Sequence, residues 1–195
     1  MASVTPMVQD LPLQSGDLVF IAVKNLLYRK VAQSTGSLAS HVGILFNDPQ
    51  KGWVVAESAV PIVRYTTLEK FLARSDRGWY AVRRVKGGLA PEQCRALRDA
   101  CNGKLGILYH FGFRFESGRQ FCSKLVYESY LAATGIKAGT LESFRQLLAA
   151  RPHTSLGFWR LWFFGFIPWN RLTVTPASQM ICERFETVIE RAQAV

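Results

Sequence analysis

Cys122, His41 and Glu57 have the side-chain types, and sit in the local settings, that covalent acyl chemistry needs. Cys122 lies in GRQFCSKLVYESYLAATG, residues 118 to 135, where a loop turns into an amphipathic helix. Apolar residues recur at Leu125, Val126, Tyr130 and Ala133, close to the i, i+3, i+4, i+7 spacing of one helical face, and Gly135 is a stop signal. In a first turn, unpaired backbone N–H groups and the positive end of the helix dipole favour a thiolate and can hold a negatively charged oxygen. In SHVGILF, alternation puts Val42, Ile44 and Phe46 on one strand face and His41, Gly43 and Leu45 on the other; in WVVAES, Trp53, Val55 and Glu57 share a face. A hairpin centred on Pro49 pairs Leu45 with Trp53, Gly43 with Val55 and His41 with Glu57, so that the carboxylate orients the imidazole. Thiol, imidazole and carboxylate are then nucleophile, base and orienter. The competing reading is a packing thiol beside an ordinary cross-strand ion pair, worth about 0 to 1 kcal/mol at a surface.

Other residues compete for parts in this chemistry. His110 precedes Cys122 closely enough to be a rival base, and His153 follows Pro152 in a polar turn that reads as surface. The Cys122 backbone N–H is the natural first oxyanion donor. Gln120 and Ser123 carry groups suited to be a second donor, with a structural role as the alternative for each. Asp17 reads as a residue that fixes the start of its strand, with lining of the site as the alternative. Tyr109 and Phe111 to Phe115 form an aromatic approach to Cys122. Cys94, Cys101 and Cys182 show no C-x-x-C spacing with Cys122, and all four read as reduced; Cys94, Leu97 and Cys101 share a helix face. The three histidines are far apart, which argues against structural zinc, and no cofactor is expected.

The elements that must position these groups follow from pattern. Residues 16–23, 41–46, 53–58 and the stretch GWYAVRRV read as strands; 25–34, YTTLEKFLARS, 91–104, 122–134 and LESFRQLLAAR read as helices, with Thr66 or Thr67 capping the second; RLTVTP reads as a late strand. Strands early and helices late imply an α+β layer in a single domain spanning residues 1–195. The chain is 49% hydrophobic, enough for a core, and its net charge of +10 is scattered rather than gathered into a nucleic-acid motif. The N-terminal stretch has no basic region followed by an apolar run, so a cytoplasmic protein is expected. LGFWRLWFFGFIPW, residues 156–169, is broken by Arg160 and Pro168 and is too short to span a bilayer; it reads as core or as a patch facing anionic membrane.

Gly16-Asp17 opening the first strand, then SHVGI, VAES, RQFCSKLVYESY and TVTPAS in that order, resemble the circularly permuted papain-like cysteine hydrolases of the NlpC/p60 superfamily, in particular the YiiX/YaeF/YebB group and its YebB-like members. The resemblance covers roughly residues 14 to 180. It implies an antiparallel sheet or partial barrel packed against the cysteine helix, with Cys122 as nucleophile, His41 as base and Glu57 as third member. It implies attack on an amide or ester carbonyl by an amidase or peptidase. Lecithin:retinol acyltransferase proteins share the permuted layout, which makes a lipid-directed acyltransferase or thioesterase the alternative, and a noncatalytic binding module the third. The substrate is then a small peptide, a cell-wall fragment or a lipid.

Overall fold

The computed structural model describes residues 11–150, 154 and 156–191. Its elements run β1 (Leu18–Val23), α1 (Leu26–Thr35), β2 (His41–Asp48), β3 (Gly52–Ser58), β4 (Val63–Thr67), α2 (Leu68–Leu72), β5 (Ser75–Val85), α3 (Pro91–Asn102), α4 (Cys122–Thr134), β6 (Glu142–Ser143), α5 (Phe144–Ala149), α6 (Leu156–Trp162), β7 (Leu172–Thr173), α7 (Pro176–Met180) and β8 (Phe185–Arg191). Six strands form one sheet in the order β4-β3-β2-β1-β5-β8, antiparallel throughout, and β6 pairs with β7. This is the expected α+β class.

Alternation along β1 and β2 separates two cores rather than a core from water. Phe20, Val42, Ile44 and Phe46 pack with Leu97 and Cys101 of α3 and with Val126 and Tyr130 of α4. On the other face Val19, Ile21, Leu45 and Val55 pack with Leu68 and Phe71 of α2. Strands covered on both faces read as nearly unbroken apolar runs, as these do. Helix α4 is buried through most of its circumference, so it lies inside the domain and not on its surface. Gly135 ends it in a left-handed conformation, φ 73°.

The hairpin register differs from the expected one by two residues. Leu45 pairs with Val55 and Asn47 with Trp53, so the turn is centred on Gln50 instead of Pro49. Asp48 Oδ1 accepts from the N–H groups of Gln50 and Lys51, both at 3.1 Å, and Gly52 takes φ +68°, which together close a three-residue loop. A slip of two preserves which face each side chain occupies. His41 and Glu57 therefore share a face, but continuing the register sets Glu57 across from Gly43. A β-carbon at Gly43 would stand 3.5 Å from that of Glu57, 2.9 Å from the Ala56 carbonyl oxygen and 2.3 Å from Val55 Cγ1. The missing side chain is what lets His41 and Glu57 meet diagonally.

Two edge strands depart from the sequence expectation. Residues 65–67 belong to β4 and not to a helix; Thr67 then caps α2 by accepting from the Lys70 N–H. Strand β8 lies where no strand is expected, because its alternation is carried by Glu186 and Glu190, and Glu190 is answered by Arg83 of β5 at 2.5 Å. RLTVTP contributes only the two residues of β7. Leu97 and Cys101 are buried as expected, whereas Cys94 is only half-buried. Substituting Gly43→Ala is expected to destabilise the fold by about 1 to 3 kcal/mol through overpacking, read as a lower urea midpoint at unchanged slope.

Candidate active site

Helix α4 presents its first residue, Cys122, with little competition for the backbone donors around it. Phe121 takes an extended conformation, φ −138° and ψ 164°, and supplies no side-chain cap. The N–H groups of the first turn lack partners within the helix, and Leu125 is the first to close a helical bond, to the Phe121 carbonyl at 3.0 Å. The approaching loop is pinned from both sides. The His110 N–H donates to the Gln120 carbonyl at 2.6 Å, the Gln120 N–H donates to the Leu108 carbonyl at 3.0 Å, and the buried ammonium of Lys124 donates to the carbonyls of Ser117 and Arg119.

On the sheet, His41 Nε2 lies 2.6 Å from Glu57 Oε2, with the two side chains 1% and 0% exposed. A carboxylate out of water must be hydrogen-bonded to stay charged. Glu57 Oε2 also accepts from Arg74 at 2.7 Å, and Oε1 accepts from the Thr66 hydroxyl at 2.6 Å. Burial pushes the Glu57 pKa up, but the bond and charge of His41, the charge of Arg74 and the Thr66 bond outweigh it and hold the carboxyl at about 2. An ionised Glu57 only accepts, so the proton of a neutral imidazole sits on Nε2 and Nδ1 is left as the basic nitrogen. Nδ1 is buried and makes no hydrogen bond. The group that acts on the ring from the helix is the Cys122 thiol. Burial pushes the imidazole down, and the interactions with Cys122 and Glu57 lift it to about 9. Phe71 stacks on the ring and Tyr28 meets it edge-on, both with centroids 5.5 Å away.

The tertiary arrangement thus gathers Cys122, His41 and Glu57, and it places the remaining candidates elsewhere. Gln120 turns its amide away, donating to Glu128 Oε2 at 2.8 Å. The Ser123 hydroxyl donates to the Val174 carbonyl at 2.7 Å and is spent on holding that segment. Asp17 is a correction to any site-lining role: it sits at the end of β1 remote from His41 and forms a two-bond pair with Arg84 at 2.7 and 2.8 Å. His110 accepts from the Gly112 N–H at 2.9 Å, and burial, followed by the charges of Arg171, Arg119 and Lys124, lowers its pKa. His153 lies outside the described residues.

Four side chains complete the setting: Arg74 and Thr66 on Glu57 and Tyr28 beside the thiol, none of which carries a signal for this role in the sequence, and Tyr109, also beside the thiol, from the aromatic approach read there. Burial, then the charge of Cys122, raises the pKa of both tyrosines, so each remains a hydroxyl donor. They also line a cavity of about 40 Å³ that has Cys122 in its wall, with Leu27, Val31, Leu148 and Trp159 among its apolar lining.

A histidine and carboxylate on a sheet, followed later in the chain by a helix that opens on a cysteine, define a papain-like hydrolase whose elements occur in permuted order. The chain belongs to the permuted papain-like amidase family YaeF/YiiX, C92, whose model matches residues 12–189. It is 32% identical over 139 residues to the YiiX protein of Escherichia coli (strain K12), spanning 71% of this chain and 68% of that one. The crystal structure of YiiX from Escherichia coli O157:H7, described as a metalloprotein, aligns with a TM-score of 0.81 over 91% of this chain and 97% of that one, at 29% identity. Among the described residues no three His, Cys, Asp or Glu side chains group as metal ligands, and Glu57 is already taken up by three donors, so this donor set does not fit a metal ion.

The ionisation of the pair makes stability depend on pH. Glu57 is held below its ordinary value of 4.5, so its contribution is full above 4.5 and is lost as pH falls through about 2. His41 is held above 6.5, so its contribution is full below 6.5 and is lost as pH rises through about 9. Urea unfolding should therefore give a stability plateau between these limits and a decline from neutral pH to 9, and Glu57→Gln should flatten that alkaline decline.

Proposed function

We propose that the chain is a cysteine hydrolase that cleaves an amide or ester through Cys122, with His41 as general base and acid and Glu57 as its orienter. The observation that carries this reading is the buried imidazole with Nε2 committed to Glu57 and Nδ1 left to the thiol. Nδ1 takes the thiol proton as sulfur attacks the carbonyl carbon, and the resulting oxyanion is held by the Cys122 N–H. Tyr28 and Tyr109 are the hydroxyls placed to add a second donor. Collapse breaks the bond to the leaving group, which takes the proton from Nδ1, and leaves a thioester. Water then gives a proton to Nδ1 and attacks the thioester; cleavage of the carbon–sulfur bond releases the acid, and the sulfur recovers its proton.

The cavity supports a narrower statement about substrate. A cavity whose exposed lining is almost wholly apolar, with Cys122 in its wall, suits an apolar acyl group better than a charged peptide or cell-wall fragment. A lipid acyl amide or ester is accordingly the favoured substrate class, with transfer to a second acceptor in place of water as the variant reaction. For a series of nitrophenyl esters, kcat/KM should rise by about fourfold per added methylene until the cavity is full. Acetyl-peptides and muropeptides should be turned over poorly. Cys122→Ala should abolish turnover, and Glu57→Gln should lower it by about 10²-fold or more. Equal activity of wild type and Cys122→Ala on every substrate would leave a binding module, and a preference for peptides would refute the acyl assignment.

A further inference from the structure

Helix α6 and the turn after it place large apolar side chains in water beside the cavity. Leu161, Phe164 and Phe166 are 81%, 93% and 86% exposed, while Trp159 and Ile167 of the same segment are buried. The backbone is bent at Phe164, φ 52°, and Gly165, φ 96°, and the Gly165 N–H closes the bend on the Arg160 carbonyl at 2.7 Å. The aromatic segment therefore divides. Trp159 walls the inner cavity, and Phe158, Leu161, Trp162, Phe164 and Phe166 line an open groove on the outside of the helix. Three exposed large apolar side chains in six residues mark a contact surface.

The segments that carry them are rich in positive charge. Residues 143–182 contain Arg145, Arg151, Arg160 and Arg171 and no Asp or Glu, and residues 18–47, which include α1, contain Lys24, Arg29 and Lys30 and again no acid. The two segments meet where Lys30 Nζ of α1 lies 6.0 Å from the Phe158 ring. Arg171 lies over Phe163 at 5.3 Å, and Arg160 is exposed with no ion pair among the described residues. Two carboxylates reach these cations: Asp76 lies 3.9 Å from Lys24, and Glu116, which acts on Arg171, lies 3.7 Å from Arg114.

We infer that this face, Leu161, Phe164 and Phe166 with Arg160 and Lys30 around them, docks on the surface of a membrane containing anionic lipid. Apolar side chains that enter the interface and cations that face the headgroups are the two components of peripheral lipid binding. A second copy of the chain is a poorer occupant, because a two-fold contact would set this predominantly basic face against itself in a protein of net charge +10. An acidic protein would match the charge but leaves three protruding aliphatic and aromatic tips without a stated pocket. The inference does not depend on the hydrolase reading, since binding is measured without turnover.

The test is vesicle co-sedimentation of the full chain, with sucrose-loaded vesicles of phosphatidylcholine alone and of phosphatidylcholine with about one third phosphatidylglycerol. Wild type should bind the anionic vesicles at low salt and at least tenfold more weakly at about 0.5 M salt, where screening is strong. Phe164→Ser with Phe166→Ser should weaken binding about tenfold or more, with thermal unfolding unchanged because both side chains are exposed. Arg160→Glu, a separate substitution that touches no packing, should weaken binding to anionic vesicles and leave the weak binding to neutral ones as it was. Absence of wild-type binding to anionic vesicles at low salt overturns the inference. So does binding that both variants retain in full, which would assign it to the general basic surface. A dimer in sedimentation velocity that the aromatic variant dissociates, with no vesicle binding, would assign the face to self-association instead.

Discussion

The carboxylate of Glu57, removed from water in the middle of the sheet, is the group around which the site is assembled. A buried charge is tolerated only when its hydrogen-bonding capacity is met, and loss of one partner from such a set costs about 3 to 5 kcal/mol. Its three hydrogen-bond partners come from three places, His41 from the first residue of β2, Thr66 from edge strand β4 and Arg74 from the link between α2 and β5, and Arg64 of β4 adds a second cation 3.8 Å from Oε1. Strand β4 and the short helix α2 are thereby explained. The first delivers a hydroxyl. The second seats Phe71 against the imidazole and, within three residues, Arg74, whose guanidinium lies 5.0 Å from the Phe71 ring. With the carboxylate satisfied and charged, the imidazole has one orientation available to it, with Nε2 held by Glu57 and Nδ1 turned away from the carboxylate.

The thiol reaches that nitrogen from an independent module. Helix α4 packs its core side on β2 and α3 and is locked at its start by bonds that run in the opposite direction, into the later part of the chain. The Ser123 hydroxyl holds the Val174 carbonyl, and the Gln179 amide donates to the carbonyls of Ser123 and Ala138 at 2.8 and 3.0 Å. The sheet thus supplies the imidazole and the carboxylate, and the helix supplies sulfur and backbone donors. Neither module has to deform for the two to meet, which is the condition for a preorganised site. Tyr28 and much of the cavity wall come from α1, α5 and α6, elements separate from the strands that carry His41 and Glu57.

Membership of the permuted papain-like amidases accounts for the layout but leaves the choice of substrate to features of this chain. The cavity beside Cys122 and the exposed aromatic turn share one helix, α6, whose Trp159 faces inward and whose Leu161 faces out. An apolar cavity and an exposed apolar patch are thus separated by a single helix. Among the described residues no helix is long and apolar enough to cross a membrane.

Much of this arrangement is written in local pattern. The helical period and its glycine stop define α4 over 122–134, and period-two alternation puts His41 and Glu57 on one face because that relation survives any even slip of register. The thiol at a helix start, the imidazole and the carboxylate can all be picked out from these patterns. Tertiary structure decided the rest. Whether Glu57 lies across from His41 or from Gly43 depends on how Asp48 and Gly52 close the turn, which periodicity does not encode. Thr66 and Arg74 become partners of Glu57 only because β4 is its neighbour and α2 folds back beneath β2, and Tyr28 and Tyr109 approach the thiol only once α1 and the loop before α4 converge. Asp17 goes to Arg84 for the same reason, since β1 lies beside β5. Strand β8 was hidden because its alternation is carried by charged residues whose counterions are on β5. Pattern along a chain reports which way a side chain faces; which group it meets there is set by contacts between segments distant in sequence, and a buried charge meets its requirements only when all of them have formed.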